Sequence, residues 1–220
     1  MLKAVIFDSD GLLFDSERIV QIAWNVAGNR LGYGNIGEQI VHTLGCNRIW
    51  REAYFRKIYG EDFPAETFRA YNREAFYEYV QAHGIPTKPG VQTLLEFLKE
   101  KKVPMAVATS ASRDYAQGNL ERAGLLPYFQ GLLCGDMVTK GKPDPEIYLK
   151  SCQMIGADPF HCLALEDAPK GLESAHRAGL KTIMIPDMLP YTEAYAPYVT
   201  AHFPRLDTAI PFISQLLEQN

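Results

Sequence analysis

The chain has 220 residues, 47% hydrophobic and 22% charged, with a formal net charge of -4 at pH 7. That is long enough to bury a core, or a core with a smaller companion domain, without disulfides, and it includes no low-complexity tract. An acidic balance without clustered Lys and Arg argues against nucleic acid and anionic membrane as partners, since both bind through basic patches. Met1 leads within a few residues into an apparent core strand, leaving no room for a signal peptide, and no apolar run reaches the ~18 residues of a membrane span. A cytoplasmic location is therefore expected. Cys46, Cys134, Cys152 and Cys162 are widely spaced with no CxxC pair, the pattern of reduced, buried thiols rather than a zinc site or disulfide frame.

In chain order, five short apolar runs read as strands: "KAVIFD" at 3 to 8, "PMAVATS" at 104 to 110, "GLLC" at 131 to 134, "HCLALED" at 161 to 167 and "LKTIMIP" at 180 to 186. They do not alternate in polarity, as befits strands buried on both faces. Helical patterns lie between them. Val91, Leu94, Leu95 and Leu98 share one helix face, "DYAQGNLERAG" ends at a Gly124 suited to a C-cap, and 145–156 and 168–179 repeat the grammar. Such alternation predicts a Rossmann-like α/β core with a parallel sheet and helices on both faces. Residues 17–84 interrupt it with aromatic and charged residues at helical spacing and no strand run, ending at the linker "GIPTKPG". The expected organisation is an α/β core of residues 1–16 and 85–220 with an inserted α-helical cap domain at 17–84.

The first strand ends in Asp8 and Asp10, the second in Thr109 and Ser110, and the fourth in Glu166 and Asp167, while Lys142 precedes a helix in "KGKPDPEIY". Ligands of parallel sheets sit at the carboxyl ends of the strands, so these groups are expected in one crevice. Carboxylates so close repel one another unless a cation lies among them, and hard oxygen donors without His or thiolate point to Mg2+. Magnesium, a lysine and a hydroxyl together make a cradle for phosphate. Lys140 is the competing ammonium and is set aside because it lies outside "GKPDPE". Ser16 is read as a helix N-cap at the start of the insert.

"FDSDGLLFDSE", "VATSAS", "KGKPDPEIY" and "LEDAPKGLESAHRAG", in this order and with a helical insert after the first, resemble the haloacid dehalogenase superfamily, in particular its phosphatase and β-phosphoglucomutase-like branch. The resemblance implies that Asp8 is the nucleophile forming an aspartyl phosphate and Asp10 the acid and then the base. Ser110, or Thr109 if the register differs by one, would bind a phosphoryl oxygen, and Lys142 would neutralise the phosphate and the nucleophile. Asp8, the backbone carbonyl of Asp10 and Asp167 would hold magnesium, with Glu166 as a further ligand or as support. Arg48, in "LGCNRIWRE", is the candidate for a distal phosphate of the substrate.

Asp10 disfavours a dehalogenase and the phosphonate-cleaving branch, both of which usually lack an acid at that position. The intact set of motifs leaves little room for a non-catalytic sugar-phosphate sensor. A phosphomutase is the alternative to a phosphatase. Val20 stands where β-phosphoglucomutases have a hinge histidine, and this favours hydrolysis of a small phosphorylated metabolite, sugar phosphates among the candidates. The sequence leaves the oligomeric state open, a monomer being compatible with it.

Overall fold

A computed structural model of the chain describes residues 1–43 and 48–218, with Arg48 and Ile49 described through their backbone alone. Contacts divide it into two compact units, Met1–Phe14 with Thr87–Asn220, and Asp15–Pro86.

The first unit is built on a six-stranded sheet. In chain order its elements begin with β1 (Ala4–Phe7), followed after the helical unit by α4 (Val91–Glu100), β2 (Met105–Ala108), α5 (Arg113–Arg122) and β3 (Gly131–Leu133). Then come α6 (Glu146–Met154), β4 (Cys162–Glu166), α7 (Pro169–Arg177), β5 (Lys181–Met184), β6 (Ala201–His202) and α8 (Ile210–Glu218). All neighbouring strands are parallel, in the order β3-β2-β1-β4-β5-β6. From β1 the chain winds outward through β2 and β3, then returns to place β4 on the other flank of β1. The strand order reverses between β1 and β4, the place where open α/β sheets bind ligands. The sheet and its class match the reading of the sequence. β6 and α8 were not anticipated.

One sheet face is lined by small residues at alternate positions, Ala4, Ala106, Ala108, Cys162 and Ala164. Ile147, Tyr148 and Cys152 of α6 pack in the same buried cluster. Side chains of a strand alternate between faces, so these alanines share one side and leave room for a bulky aromatic there. Cys134, Cys152 and Cys162 are buried thiols without disulfides, as expected, and Cys46 lies outside the described residues.

The second unit contains α1 (Ser16–Arg30), α2 (Arg48–Tyr59) and α3 (Ala65–His83). Ile19, Ala23, Trp24 and Ala27 are the buried stripe of α1. Trp24 meets Phe55 at 5.0 Å and Phe68 at 5.8 Å between ring centroids, and Phe55 lies 5.1 Å from Phe63. Aromatic packing of this kind, edge-on around Trp24 and stacked between Phe55 and Phe63, adds to the burial that holds the helices together. Ser16 is the first residue of α1, and Asp15 takes the cap position without a side-chain cap bond, so the expected Ser16 cap is displaced by one residue.

Trp24→Ala should empty the centre of this aromatic cluster and cost about 3–5 kcal/mol. The loss can be read as a shift of the urea transition followed by the fluorescence of Trp50, the second tryptophan of the chain. An unchanged transition would show that the helices do not depend on Trp24.

Candidate active site

The ladder between β1 and β4 continues one residue past β1, where the Asp8 amide donates to the Leu165 carbonyl at 3.0 Å. The chain then turns tightly, Leu13 N–H bonding Ser9 carbonyl at 2.9 Å and Gly11 N–H bonding Phe14 carbonyl at 2.9 Å. Gly11 has φ +82, and a Cβ there would fall 2.2 Å from Oδ2 of Asp167. Only glycine fits both the left-handed backbone and the close approach of that carboxylate. The turn after β1 is therefore shaped around the carboxylate that follows β4.

Lys142 lies between the two strand ends. Its Nζ donates to Oδ1 of Asp8 at 2.5 Å, to Oε1 of Glu166 at 2.6 Å and to the Ala108 carbonyl at 3.0 Å. The ammonium is nearly enclosed, its side chain 7% exposed. Burial alone would discharge it, but the negative charges of Asp8 and Glu166 outweigh that cost and hold its pKa above the ordinary lysine value. Lys140, by contrast, is 72% exposed and pairs with Asp144 at 3.9 Å.

The loop that carries Lys142 is fastened at both ends. Glu146 accepts from the amides of Thr139 and Lys140 at 3.0 and 2.9 Å and from Lys150 at 2.6 Å. Led by the Lys150 bond, these contacts pull the Glu146 carboxyl down to about 2. On the other side, Ser174 Oγ of α7 donates to the Asp144 carbonyl at 2.6 Å and Arg177 to the Pro143 carbonyl at 3.3 Å.

Glu166 is the most enclosed of the carboxylates, 1% exposed. Burial pushes its pKa up, the Lys142 charge pulls it down and the Asp8 charge raises it again, leaving it at about 7. The Tyr148 hydroxyl of α6 also donates to Oε1 of Glu166, and the Lys142 ammonium sits 5.2 Å from the centre of the Tyr148 ring. Burial, then the charges of Glu166 and Asp8, raise the Tyr148 pKa well above its ordinary value and keep the hydroxyl a donor. Tyr148 stands inside the quoted "KGKPDPEIY" motif but reads there as core. The usable signal is that a fully buried tyrosine needs a partner for its hydroxyl.

Asp8, Glu166 and Asp167 each offer a carboxylate oxygen within 4.8 Å of the others. An all-oxygen set of this kind suits magnesium or calcium rather than a softer metal. Together with the room that Gly11 leaves for Asp167, it fits a small hard cation. Asp10 is half-buried at the start of the turn, with the Tyr115 hydroxyl 3.5 Å from its Oδ1, a contact unforeseen in the sequence. Thr109 and Ser110 separate clearly. Thr109 is 1% exposed and its Oγ1 accepts from the Ala111 amide at 3.1 Å, whereas Ser110 is exposed. Arg48 opens α2, and its side chain lies outside the described residues.

Residues 2–179 match the profile of the haloacid dehalogenase-like hydrolases. The chain belongs to that family. It is 33% identical over 187 residues to a phosphorylated carbohydrates phosphatase of Thermotoga maritima, covering 83% of this chain and 84% of that one. It is also 33% identical over 185 residues to hexitol phosphatase A of Escherichia coli, covering 83% and 82%. A crystal structure of β-phosphoglucomutase from Clostridium difficile shares the fold, with a TM-score of 0.77 at 17% identity over 99% of this chain and 98% of that one. Family and relatives together make this haloacid dehalogenase-like hydrolase a phosphatase. No described helix is long and apolar enough to cross a membrane.

The raised Glu166 pKa has a definite effect on the metal-free protein. Folding favours the protonated carboxyl, so its contribution to stability is complete below the ordinary 4.5 and is lost as the pH rises through about 7. In chelator, wild type should lose stability relative to Glu166→Gln between about pH 5 and about pH 7.5, measured as the gap between urea midpoints. A gap that does not change with pH would contradict the assignment.

Proposed function

We propose that this phosphatase hydrolyses the phosphate monoester of a small metabolite, a sugar or polyol phosphate, through a covalent phosphoryl group on Asp8 and with magnesium bound. The observation that carries the reading is the Asp8 carboxylate at the end of β1, fixed by a buried ammonium at 2.5 Å and adjoining the carboxylates that end β4. The names of the relatives support the substrate class. A cytoplasmic site of action belongs to the same reading, since phosphorylated metabolites are anions that do not cross membranes unaided.

In this mechanism an Asp8 oxygen forms a bond to phosphorus while the bond from phosphorus to the ester oxygen breaks. The departing oxygen keeps the bonding pair and receives a proton from Asp10. Asp10, now a carboxylate, takes a proton from water as the water oxygen bonds to phosphorus. Asp8 departs as a carboxylate and inorganic phosphate is released. Lys142 stays charged throughout, orients Asp8 and faces the phosphoryl group once it is attached.

Thr109 is the hydroxyl assigned to a phosphoryl oxygen. Its oxygen is already an acceptor for the Ala111 amide, leaving its proton to donate, and it follows Ala108, whose carbonyl anchors Lys142. Asp8, Asp167 and the backbone carbonyl of Asp10 would hold magnesium, which supplies positive charge that offsets the phosphate oxygens. Glu166 acts on this set through Lys142. Arg48 is proposed for a distal group of the substrate on the strength of its sequence neighbourhood alone.

Asp8→Asn preserves shape and removes the attacking anion, so turnover of an aryl phosphate should fall by about three or more orders of magnitude with the fold retained by circular dichroism. Retained turnover would remove Asp8 from its role. Excess chelator should silence the wild type, and magnesium should restore it better than calcium; activity that persists in chelator would overturn the metal assignment.

Asp10→Asn isolates the proton transfer. Loss of activity should be at least about tenfold greater for a hexitol phosphate than for nitrophenyl phosphate, whose leaving group needs little help from an acid. Equal losses on the two substrates would assign Asp10 another task.

A further inference from the structure

Oε1 of Glu166 is doubly engaged. It accepts from the Lys142 ammonium at 2.6 Å and from the Tyr148 hydroxyl. Against the face of the carboxylate lies the first turn of α7, where a Cβ on Gly171 would fall 2.0 Å from the Glu166 carboxyl carbon and 2.0 and 2.2 Å from its two oxygens. The carboxylate therefore occupies a slot with three walls, a cation, a buried hydroxyl and bare helix backbone. Tyr148 is itself fully buried, and it packs with the alanines of the sheet face, so its hydroxyl has a single position. Asp167, one residue later, is half-buried.

We infer that Tyr148 is a positioning residue which, with Gly171, holds Glu166 as the counter-ion of Lys142 and keeps it from joining the metal as a ligand. The inference rests on the magnesium reading above and adds a consequence for metal choice. Magnesium binds small octahedral sites with few carboxylates, whereas calcium accepts more oxygen ligands in looser shells. A Glu166 confined by Tyr148 keeps the site short of one carboxylate and so biases it toward magnesium. A released Glu166 would supply the additional oxygens that calcium uses. The same release would leave the Lys142 ammonium less firmly placed beside Asp8, since one of its two carboxylate partners would no longer be fixed.

The test uses the complete chain and two lesions that reach Glu166 from different helices, α6 and α7. Tyr148→Phe keeps the ring and removes the hydroxyl. Gly171→Ala puts a methyl group where the carboxylate lies and pushes out the flexible end of one side chain. Binding of magnesium and of calcium to chelator-treated protein is measured by titration calorimetry, beside kcat and KM for an aryl phosphate in saturating magnesium. Ser151→Ala, which removes a buried hydroxyl bonded within α6 to the Ile147 carbonyl, is the control for a change in helix stability.

Both lesions should tighten calcium relative to magnesium by about fivefold or more and lower kcat by about tenfold, within the range typical of groups that orient metal ligands. Ser151→Ala should shift thermal stability alone. Because Gly171→Ala reaches Glu166 without touching Tyr148, it still tests the confinement of Glu166 if Tyr148→Phe does not fold. An unchanged ratio of calcium to magnesium affinity in the folded variants would overturn the inference and leave the phosphatase reading standing. Absence of magnesium binding by the wild type would overturn the metal reading and the inference with it.

Discussion

A buried ammonium between two strand ends is the constraint on which the rest of the site depends. Asp8 and Glu166 are both enclosed, and two carboxylates brought together in low dielectric would repel each other and take up protons. Lys142 between them, with its third contact to the Ala108 carbonyl, satisfies both. Removing one partner from such a cluster leaves an uncompensated charge, which typically costs about 3–5 kcal/mol. The fold serves this cluster at several points. Parallel pairing of β1 with β4 brings the carboxylates together, α6 supplies the aromatic wall, and α7 ties down the loop that carries the lysine.

This arrangement leaves the carboxylates unequal, and the inequality divides their roles. Glu166 is held by Lys142 and Tyr148, the geometry behind its proposed role as an electrostatic support. Asp8 keeps one contact to Lys142 through Oδ1, and Asp10, two residues on, belongs to the tight turn rather than to the strand. The proposed covalent intermediate could transfer its phosphoryl group to water or to a second sugar hydroxyl. The phosphatase relatives favour water, and the likeness to β-phosphoglucomutase is one of fold alone. Val20 in place of the hinge histidine points the same way.

Much of this was legible in the sequence because chemistry at the ends of buried strands is written in short runs. "VIFDSD" and "LALED" each pass from apolar to acidic within a residue or two, and parallel topology brings such ends together. What escaped notice depended on distant or very short features. β6 has only two residues, too few for a pattern, and α8 follows it without a strand to mark the alternation. Thr109 and Ser110 could not be told apart because a shift of one residue at a strand end exchanges buried for exposed. Tyr148 sits on an apolar helix face, and only the three-dimensional pairing with Glu166, 18 positions away, distinguishes it from ordinary core.

The most direct test of the account is to look for the phosphoryl group on Asp8. Enzyme mixed with nitrophenyl phosphate and magnesium is quenched in acid within a few milliseconds and mapped by peptide mass spectrometry, with Asp10→Asn used to slow the second step, because this leaving group departs without a proton from Asp10. A phosphorylated peptide spanning Asp8 should appear before free phosphate and be absent from Asp8→Asn. Phosphate release that begins at its full rate with no modified Asp8 peptide at any time would contradict the account.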